Sequence, residues 1–287
     1  MLKPVKSILK FILYIVLSLL LALVIRLFLF DCYVVPSDSM EPAILPGDFI
    51  LADKWTYGAR LFTSLQFDEH SDPPIKRIPG LRHIRRNDVV VFNFPCRHGW
   101  DTIRMNLEKI YVKRCIGIPG DSLSIIDSYY RVAGVSDTPG SISGQRELAR
   151  YRGVLDSTIV RTIPFDTTLF HWDIRNFGPL YIPAAGTTIA LTPENVALYT
   201  KQIVYETGAA VRMEDSSVYI NDTLATHYTF LGNWYFMAGD RVMNSQDSRY
   251  TGLIPEAYII GRASLICTST DRNTGKRRWN RFLKRIK

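Results

Sequence analysis

The apolar and polar positions divide the chain into one long apolar run and a series of short ones. From Phe11 to Phe30 the residues are apolar apart from Ser18 and Arg26. At about 1.5 Å per residue such a run spans about 30 Å, the thickness of a bilayer core, and predicts one transmembrane helix. Arg26 lies one turn from its end, close enough to snorkel to the headgroups. Lys3, Lys6 and Lys10 precede it, so the positive-inside rule puts the N-terminus in the cytoplasm and everything after Asp31 outside. A cleaved signal peptide needs a shorter apolar core and small residues at a cleavage site. Here the run ends Leu27-Phe28-Leu29-Phe30-Asp31, and Cys32 lacks the small residues that would precede a lipidated cysteine, which favours an uncleaved anchor.

Beyond the run, the period shortens. Phe49–Lys54 predicts a strand, and Asp88–Asn93 and Glu108–Gly117 are apolar, β-branched stretches with the character of buried strands. The second closes in Pro119-Gly120-Asp121, a turn signal. Ser217–Asn221 and Leu224–Phe230 flank an Asn-Asp turn and predict a hairpin, and Tyr235–Ala238 and Tyr258–Cys267 add two strands. Residues 55–86, rich in Pro, Gly and basic side chains, predict an irregular surface excursion. Residues 127–187 are broken by Gly and Pro and predict short strands and loops, while Thr192 and Pro193 suit the cap and first position of a short helix within 192–203. The fold class predicted is mainly β: a single N-terminal transmembrane helix, then an antiparallel β domain with an inserted second β region.

Charge alters one inference. The chain of 287 residues carries a net charge of +8, which alone would suggest nucleic acid. Residues 1–30 hold +4 of it and the last twelve residues +7, leaving −3 on residues 31–275. The basic charge thus lies at the two ends, which fits phospholipid headgroups and not a nucleic acid backbone. In the tail, Trp279, Phe282, Leu283 and Ile286 follow an i, i+3, i+4, i+7 pattern among Arg and Lys. Two readings stand level: a short basic amphipathic helix lying on a membrane, or a frayed, solvated tail. The four cysteines (Cys32, Cys96, Cys115, Cys267) form no CxxC pair and no zinc-ligand spacing with His. Cys115 reads as a core thiol, and a Cys96–Cys267 disulfide is a possible pairing in an oxidising compartment.

The candidate chemistry starts at Tyr33-Val34-Val35-Pro36-Ser37-Asp38-Ser39-Met40-Glu41-Pro42, followed by Ala43-Ile44-Leu45-Pro46-Gly47-Asp48. Pro36 biases Val35 toward an extended conformation and Pro42 stops any helix, so Ser39 is presented on a stiff turn just outside the membrane. A serine needs a base. None of His70, His83, His98, His171 and His227 has a catalytic context, G-x-S-x-G is absent, and the S-x-x-K match at Ser7–Lys10 opens the membrane helix. Lys113, within apolar Tyr111–Gly117, is the better candidate, because burial disfavours its charged form. Alternation leaves open whether it faces the core or solvent.

Four ordered blocks behind an anchor resemble the type I signal peptidases, membrane-bound proteases with a Ser/Lys dyad. These are Pro36–Pro42 with Gly47-Asp48; Arg86–Phe92; Tyr111–Arg114 with Gly117–Asp121; and Gly239-Asp240 with Asn244–Tyr250. The resemblance implies Ser39 as nucleophile and Lys113 as general base. It implies an oxyanion hole from the Ser37 side chain and the Ser39 backbone N–H, and Ser245 as the hydroxyl orienting the lysine. Asp247 and Arg249 would form a structural ion pair, joined by Arg114, beside Gly239 and Asp240. Val35, Met40, Ile44, Tyr111 and Val112 would line a groove favouring small residues one and three positions before the cleaved bond, with the peptide adding as a strand. It further implies coiled sheets, no metal or cofactor, and signal peptides of exported preproteins as substrates, cut at the outer, periplasmic face of the cytoplasmic membrane.

On that basis residues 1–31 form the N-terminus and anchor. Residues 32–126 and 233–270 form the two parts of a catalytic core, 127–232 a variable insertion, and 271–287 the basic tail. The sequence departs from the family at Arg241-Val242-Met243, where Asn-Arg-Asp is usual, and at Ala43, often threonine. The first departure would loosen the loop carrying Ser245 and gives the one support to a rival, a non-catalytic peptide-binding β domain. A self-cleaving repressor relative fits worse, since a membrane segment is present and a DNA-binding half is not.

Overall fold

The computed structural model describes residues 2–64, 71–97, 99–163, 169–215 and 217–287, without the side chains of 2–6. His70 and His98 lie outside these residues. The apolar run forms helix α1 (Leu2–Val24), continued by one π-helical turn (Ile25–Leu29). Its Ser7–Leu29 stretch is long and apolar enough to cross a membrane, and none of its residues is buried in the protein. Phe30, expected to close the run, instead opens the first strand.

The strands follow in the order β1 (Phe30–Val34), β2 (Asp48–Asp53), β3 (Arg60–Phe62), β4 (Ile75–Arg77), β5 (Val89–Phe94), β6 (Asn106–Gly117), β7 (Ser122–Ile126), β8 (Tyr129–Val132) and β9 (Phe177–Tyr181). They continue as β10 (Thr188–Ala190), β11 (Val211–Glu214), β12 (Ser217–Ile220), β13 (Thr223–Leu224), β14 (His227–Thr229), β15 (Trp234–Ala238), β16 (Ile254–Pro255), β17 (Ile259–Ser269) and β18 (Lys284–Arg285). The helices after the anchor are α2 (Ile142–Arg150), α3 (Ser157–Val160), α4 (Pro193–Thr207) and α5 (Ser248–Thr251).

The main sheet runs β1-β2-β17-β5-β6-β15-β16, with β18 added to β17, and its pairings are antiparallel. Within it β5 is buried on both faces, which is why Val89–Phe92 read as an apolar run without alternation. Val90 and Phe92 point into one cluster, while Val89 and Val91 point into a second with Val35, Met40, Ile44, Ile50 and Ile266. Each large apolar side chain so buried contributes about 1.5–3 kcal/mol.

Three expectations need correction. Residues 55–86 are not a mere excursion: Tyr57, Ala59 and Ile84 are buried, and Arg77 of β4 donates to the Ile259 carbonyl of β17. The segment 127–187 contains helix α2 as well as strands, and α4 runs to Thr207, capped by Thr192 and ended by Gly208 in the left-handed region. Phe177, Leu180, Tyr199 and Ile203 from this part of the chain share one apolar cluster with Cys115, Trp234 and Phe236.

The tail matches neither expectation. A single 3-10 turn (Trp279–Arg281) leads into β18, which pairs with Leu265 and Ile266. Ile286 is buried in the cluster beneath the serine turn, while Trp279, Phe282 and Leu283 face outward. Nor does Cys96 approach Cys267. All four thiols are free, and the neighbour of Cys267 is the Cys32 thiol, across β2 from it.

Candidate active site

The segment between β1 and β2 is the turn that carries Ser39. Its walls are pinned by apolar anchors, with Met40 and Ile44 almost fully buried beneath it. The Val35 N–H donates to Asp48 O and the Gly47 N–H to Val35 O, both at 2.9 Å, closing the turn at its base. Gly47 has φ +89°, and a Cβ there would lie 1.9 Å from the Thr270 carbonyl oxygen, so only glycine fits. The Glu41–Pro42 peptide bond is cis.

Lys113 comes to Ser39 from β6, where it pairs in register with Val90. Its Nζ lies 2.5 Å from Ser39 Oγ, and both residues are buried. Desolvation lowers the Lys113 pKa to about 8, against the opposing pull of the Asp247 carboxylate and with help from Arg249. The Ser37 and Ser39 hydroxyl oxygens are 3.4 Å apart, placing Ser37 on the same side of the turn.

Asp247 organises the opposite wall. Its carboxylate accepts from the Gly239 N–H (2.9 Å), Ser245 Oγ (2.6 Å), and Arg249 Nε and Nη2 (both 2.8 Å). Burial alone would push this carboxyl up. The Arg249 guanidinium outweighs burial, aided by Lys113 and the Ser245 hydroxyl, and holds it below the usual range. The Ser245 hydroxyl therefore gives its proton to Asp247, where the resemblance would have it orient the lysine. Gly239 leaves room for this contact: a Cβ there would stand 2.2 Å from Ser245 Oγ and 2.6 Å from Ser39 O.

Arg114 does not join Asp247 and Arg249. It forms a separate bidentate pair with Asp240, Nε and Nη2 each 2.6 Å from a carboxylate oxygen, because neighbouring strand residues point to opposite faces. The departure at Arg241-Val242-Met243 does not loosen the loop. Arg241 ion-pairs with Asp38, its N–H donates to Ser39 O at 3.0 Å, and Val242 is buried with its carbonyl on Arg249. Asn244 Nδ2 adds a 2.9 Å bond to Asp38 Oδ1. Asp38, Asn244 and Gln246, to which the resemblance gives no role, all lie inside the blocks that carry it.

A groove of about 490 Å³ leads to Ser39, lined by Tyr33–Met40 on one side and Glu108–Lys113 on the other, with Asn244 and Gln246. Val35, Met40, Tyr111 and Val112 are in its lining. Ile44 is not: it sits fully buried under the turn. Tyr111 hydrogen-bonds Gln246 across the rim. Both walls are backbone edges, since β1 pairs with β2 alone, and β6 pairs with β15 only over Arg114–Gly117. Among the described residues the outer edge of Ile110–Lys113 is thus open to an extended peptide.

Known proteins with this sequence pattern point one way. The family model described as "Signal peptidase, peptidase S26" matches residues 8–141 and 224–268. Signal peptidase I of Buchnera aphidicola is 26% identical over 257 residues, covering 87% of this chain and 72% of the relative. Signal peptidase I of Aquifex aeolicus is 26% identical over 252 residues (87% and 80%), and that of Pseudomonas aeruginosa 26% over 264 (88% and 69%). A crystal structure of signal peptidase I from Enterococcus faecalis shares 20% identity over 64% of this chain and 98% of its own, at a TM-score of 0.31. With more than half of its residues matched by that family model, the chain belongs to the signal peptidase family, peptidase S26.

Proposed function

We propose that this chain removes signal peptides from exported preproteins as a membrane-anchored serine endopeptidase, with Ser39 as nucleophile and Lys113 as general base. The observation that carries the assignment is the 2.5 Å contact between Lys113 Nζ and Ser39 Oγ in a buried site, with the lysine pKa drawn down to about 8. A neutral amine at that distance takes the Ser39 proton as Oγ attacks the scissile carbonyl. The Ser39 N–H and the Ser37 hydroxyl face the developing oxyanion. The protonated lysine then gives its proton to the leaving amine, and the Lys113 amine, neutral again, takes a proton from the water that releases the acyl group.

The groove begins at Tyr33, four residues past the helical segment ending at Leu29. A signal peptide whose apolar part lies in the bilayer reaches Ser39 along the open edges of Val35 and Val112 without leaving the membrane surface. Lys3, Lys6 and Lys10 orient the helix with its N-terminus in the cytoplasm and the β domain on the outer face.

The test is cleavage of a purified preprotein by the detergent-solubilised protein from pH 6 to 10, beside Ser39→Ala and Lys113→Ala. Wild-type activity should rise with a midpoint near the lysine's value of about 8, and each variant should lose on the order of 10³-fold or more. A Lys113→Ala protein that keeps its activity, or a wild-type profile flat through pH 8, would remove Lys113 as the base.

A further inference from the structure

The carbonyl groups of the serine turn take donors from the far end of the chain. Arg272 Nη1 donates to Pro36 O at 2.8 Å, Arg281 Nη2 to Ala43 O at 2.9 Å and Arg278 Nη1 to Pro46 O at 2.9 Å. These three carbonyls mark the start, middle and end of the turn. Arg281, buried, also forks onto the buried Asp48 carboxylate, Nη2 at 2.6 Å and Nε at 3.0 Å, and that carboxylate accepts the Leu45 N–H at 2.9 Å. Arg278 is steadied in turn by Asp271 at 2.8 Å. The segment is fixed at its end by the β17–β18 pairing, by buried Ile286, and by the Lys287 carbonyl, which accepts from Arg114 at 3.1 Å. Arg114 also holds Asp240, next to the Arg241 N–H that donates to Ser39 O.

We propose that residues 270–287 act as a strap that sets the position of Ser39, with Arg272, Arg278 and Arg281 as positioning residues for the nucleophile. This rests on the reading of Ser39 as nucleophile. Planar guanidinium groups suit the task, because a fork that spans a carboxylate and a carbonyl fixes direction as well as distance. The turn needs such fixing: Pro36, Pro42 and Pro46 restrict its own torsions, but its placement against Lys113 depends on what holds its outer carbonyls. A shift of about 1 Å at a nucleophile costs on the order of 10²-fold in rate.

The experiment measures kcat, KM and pH midpoint for preprotein cleavage by the full chain in detergent, for Arg281→Ala, Arg281→Lys and the double variant Arg272→Ala/Arg278→Ala. The double variant leaves the buried Asp48–Arg281 pair intact, so it decides the matter even where Arg281→Ala does not fold. The expected result is a kcat lowered on the order of 10-fold in the double variant, with KM, thermal midpoint and pH midpoint unchanged. Arg281→Ala should lose more, and Arg281→Lys should recover part of that loss. A double variant with wild-type kcat overturns the proposal. So does a loss that follows the thermal midpoint alone, or a shifted pH midpoint, which would place the effect on Lys113. If the wild type itself fails to cleave, the peptidase reading falls and this one with it; an active wild type matched by its double variant removes this one only.

Discussion

Lys113 is an amine held where an ammonium is unwelcome, and that has a cost in stability as well as a use in catalysis. Its pKa falls through desolvation from 10.5 to about 8 in the folded protein. Between those values the unfolded chain binds more protons than the native one, so this residue's contribution makes stability rise with pH across that window. Below pH 8 the buried charge costs up to about 3 kcal/mol. Lys113→Met should therefore be inactive yet more stable than wild type at pH 7, with the gain shrinking toward pH 10.5. Urea unfolding at pH 7 and pH 10 checks it, and equal stability at both would mean the amine is not desolvated. The sequence exposed Ser39 readily, because two prolines and a glycine frame it. It left the face of Lys113 open for a physical reason: from Lys113 to Gly117 every residue of β6 is buried, and a strand covered on both faces has no alternation to read. The Asp38–Arg241 pair was illegible too, since it joins residues about two hundred positions apart and one of them, Arg241, lies at the departure from the family's pattern.

Among the elements, the serine turn and the loop of residues 239–249 work as one unit because nothing larger than hydrogen fits between them at Gly239. Gly239→Ala would place a methyl group against the Ser39 carbonyl and the Ser245 hydroxyl. The turn and loop must part, costing about 1–3 kcal/mol and on the order of 10²-fold in kcat. Gly232→Ala is the matched comparison: its Cβ meets only the flexible Glu206 carboxylate at 3.3 Å. Kinetics and thermal unfolding of the pair should separate them, and a Gly239→Ala enzyme as active as Gly232→Ala would show that the two segments move independently. Elements with chemical punctuation were legible. Asn221 and Asp222, at φ +49° and +61°, make the hairpin turn between β12 and β13 that their residue types announce. Helix α2 was not, because it buries Gly144, Gln145 and Leu148, and one leucine makes no apolar stripe. The tail misled in the opposite sense: its helical spacing is interrupted at Leu283, whose φ of +52° no helix tolerates, so Ile286 turns inward while Trp279 and Phe282 stay outside.

At the level of the whole molecule, the end-weighted charge divides into two kinds. In the tail, Arg278 and Arg281 are committed to Asp271 and Asp48, so two of the seven charges that suggested lipid headgroups have a structural use. The N-terminal helix is different, since its residues from Ser7 to Leu27 are all exposed. Its ties to the domain are few and lie at its exit, where Lys54 Nζ donates to the Arg26 carbonyl and the Lys54 N–H to that of Leu29. Removing residues 1–28 keeps the second bond and all of β1, and should leave the sheet, the strap and the groove in place. What it removes is co-localisation. A soluble peptide should be cleaved with kcat/KM within about 3-fold of the full chain, because the peptide site is untouched. A preprotein reconstituted in vesicles should lose on the order of 10²-fold, the size of effect that tethering to a shared surface supplies. Equal losses on both substrates would make the helix part of the catalytic fold. An equal, undiminished rate on both would mean that the β domain finds the membrane without it, and the outward-facing Trp279 and Phe282 would be the first side chains to replace.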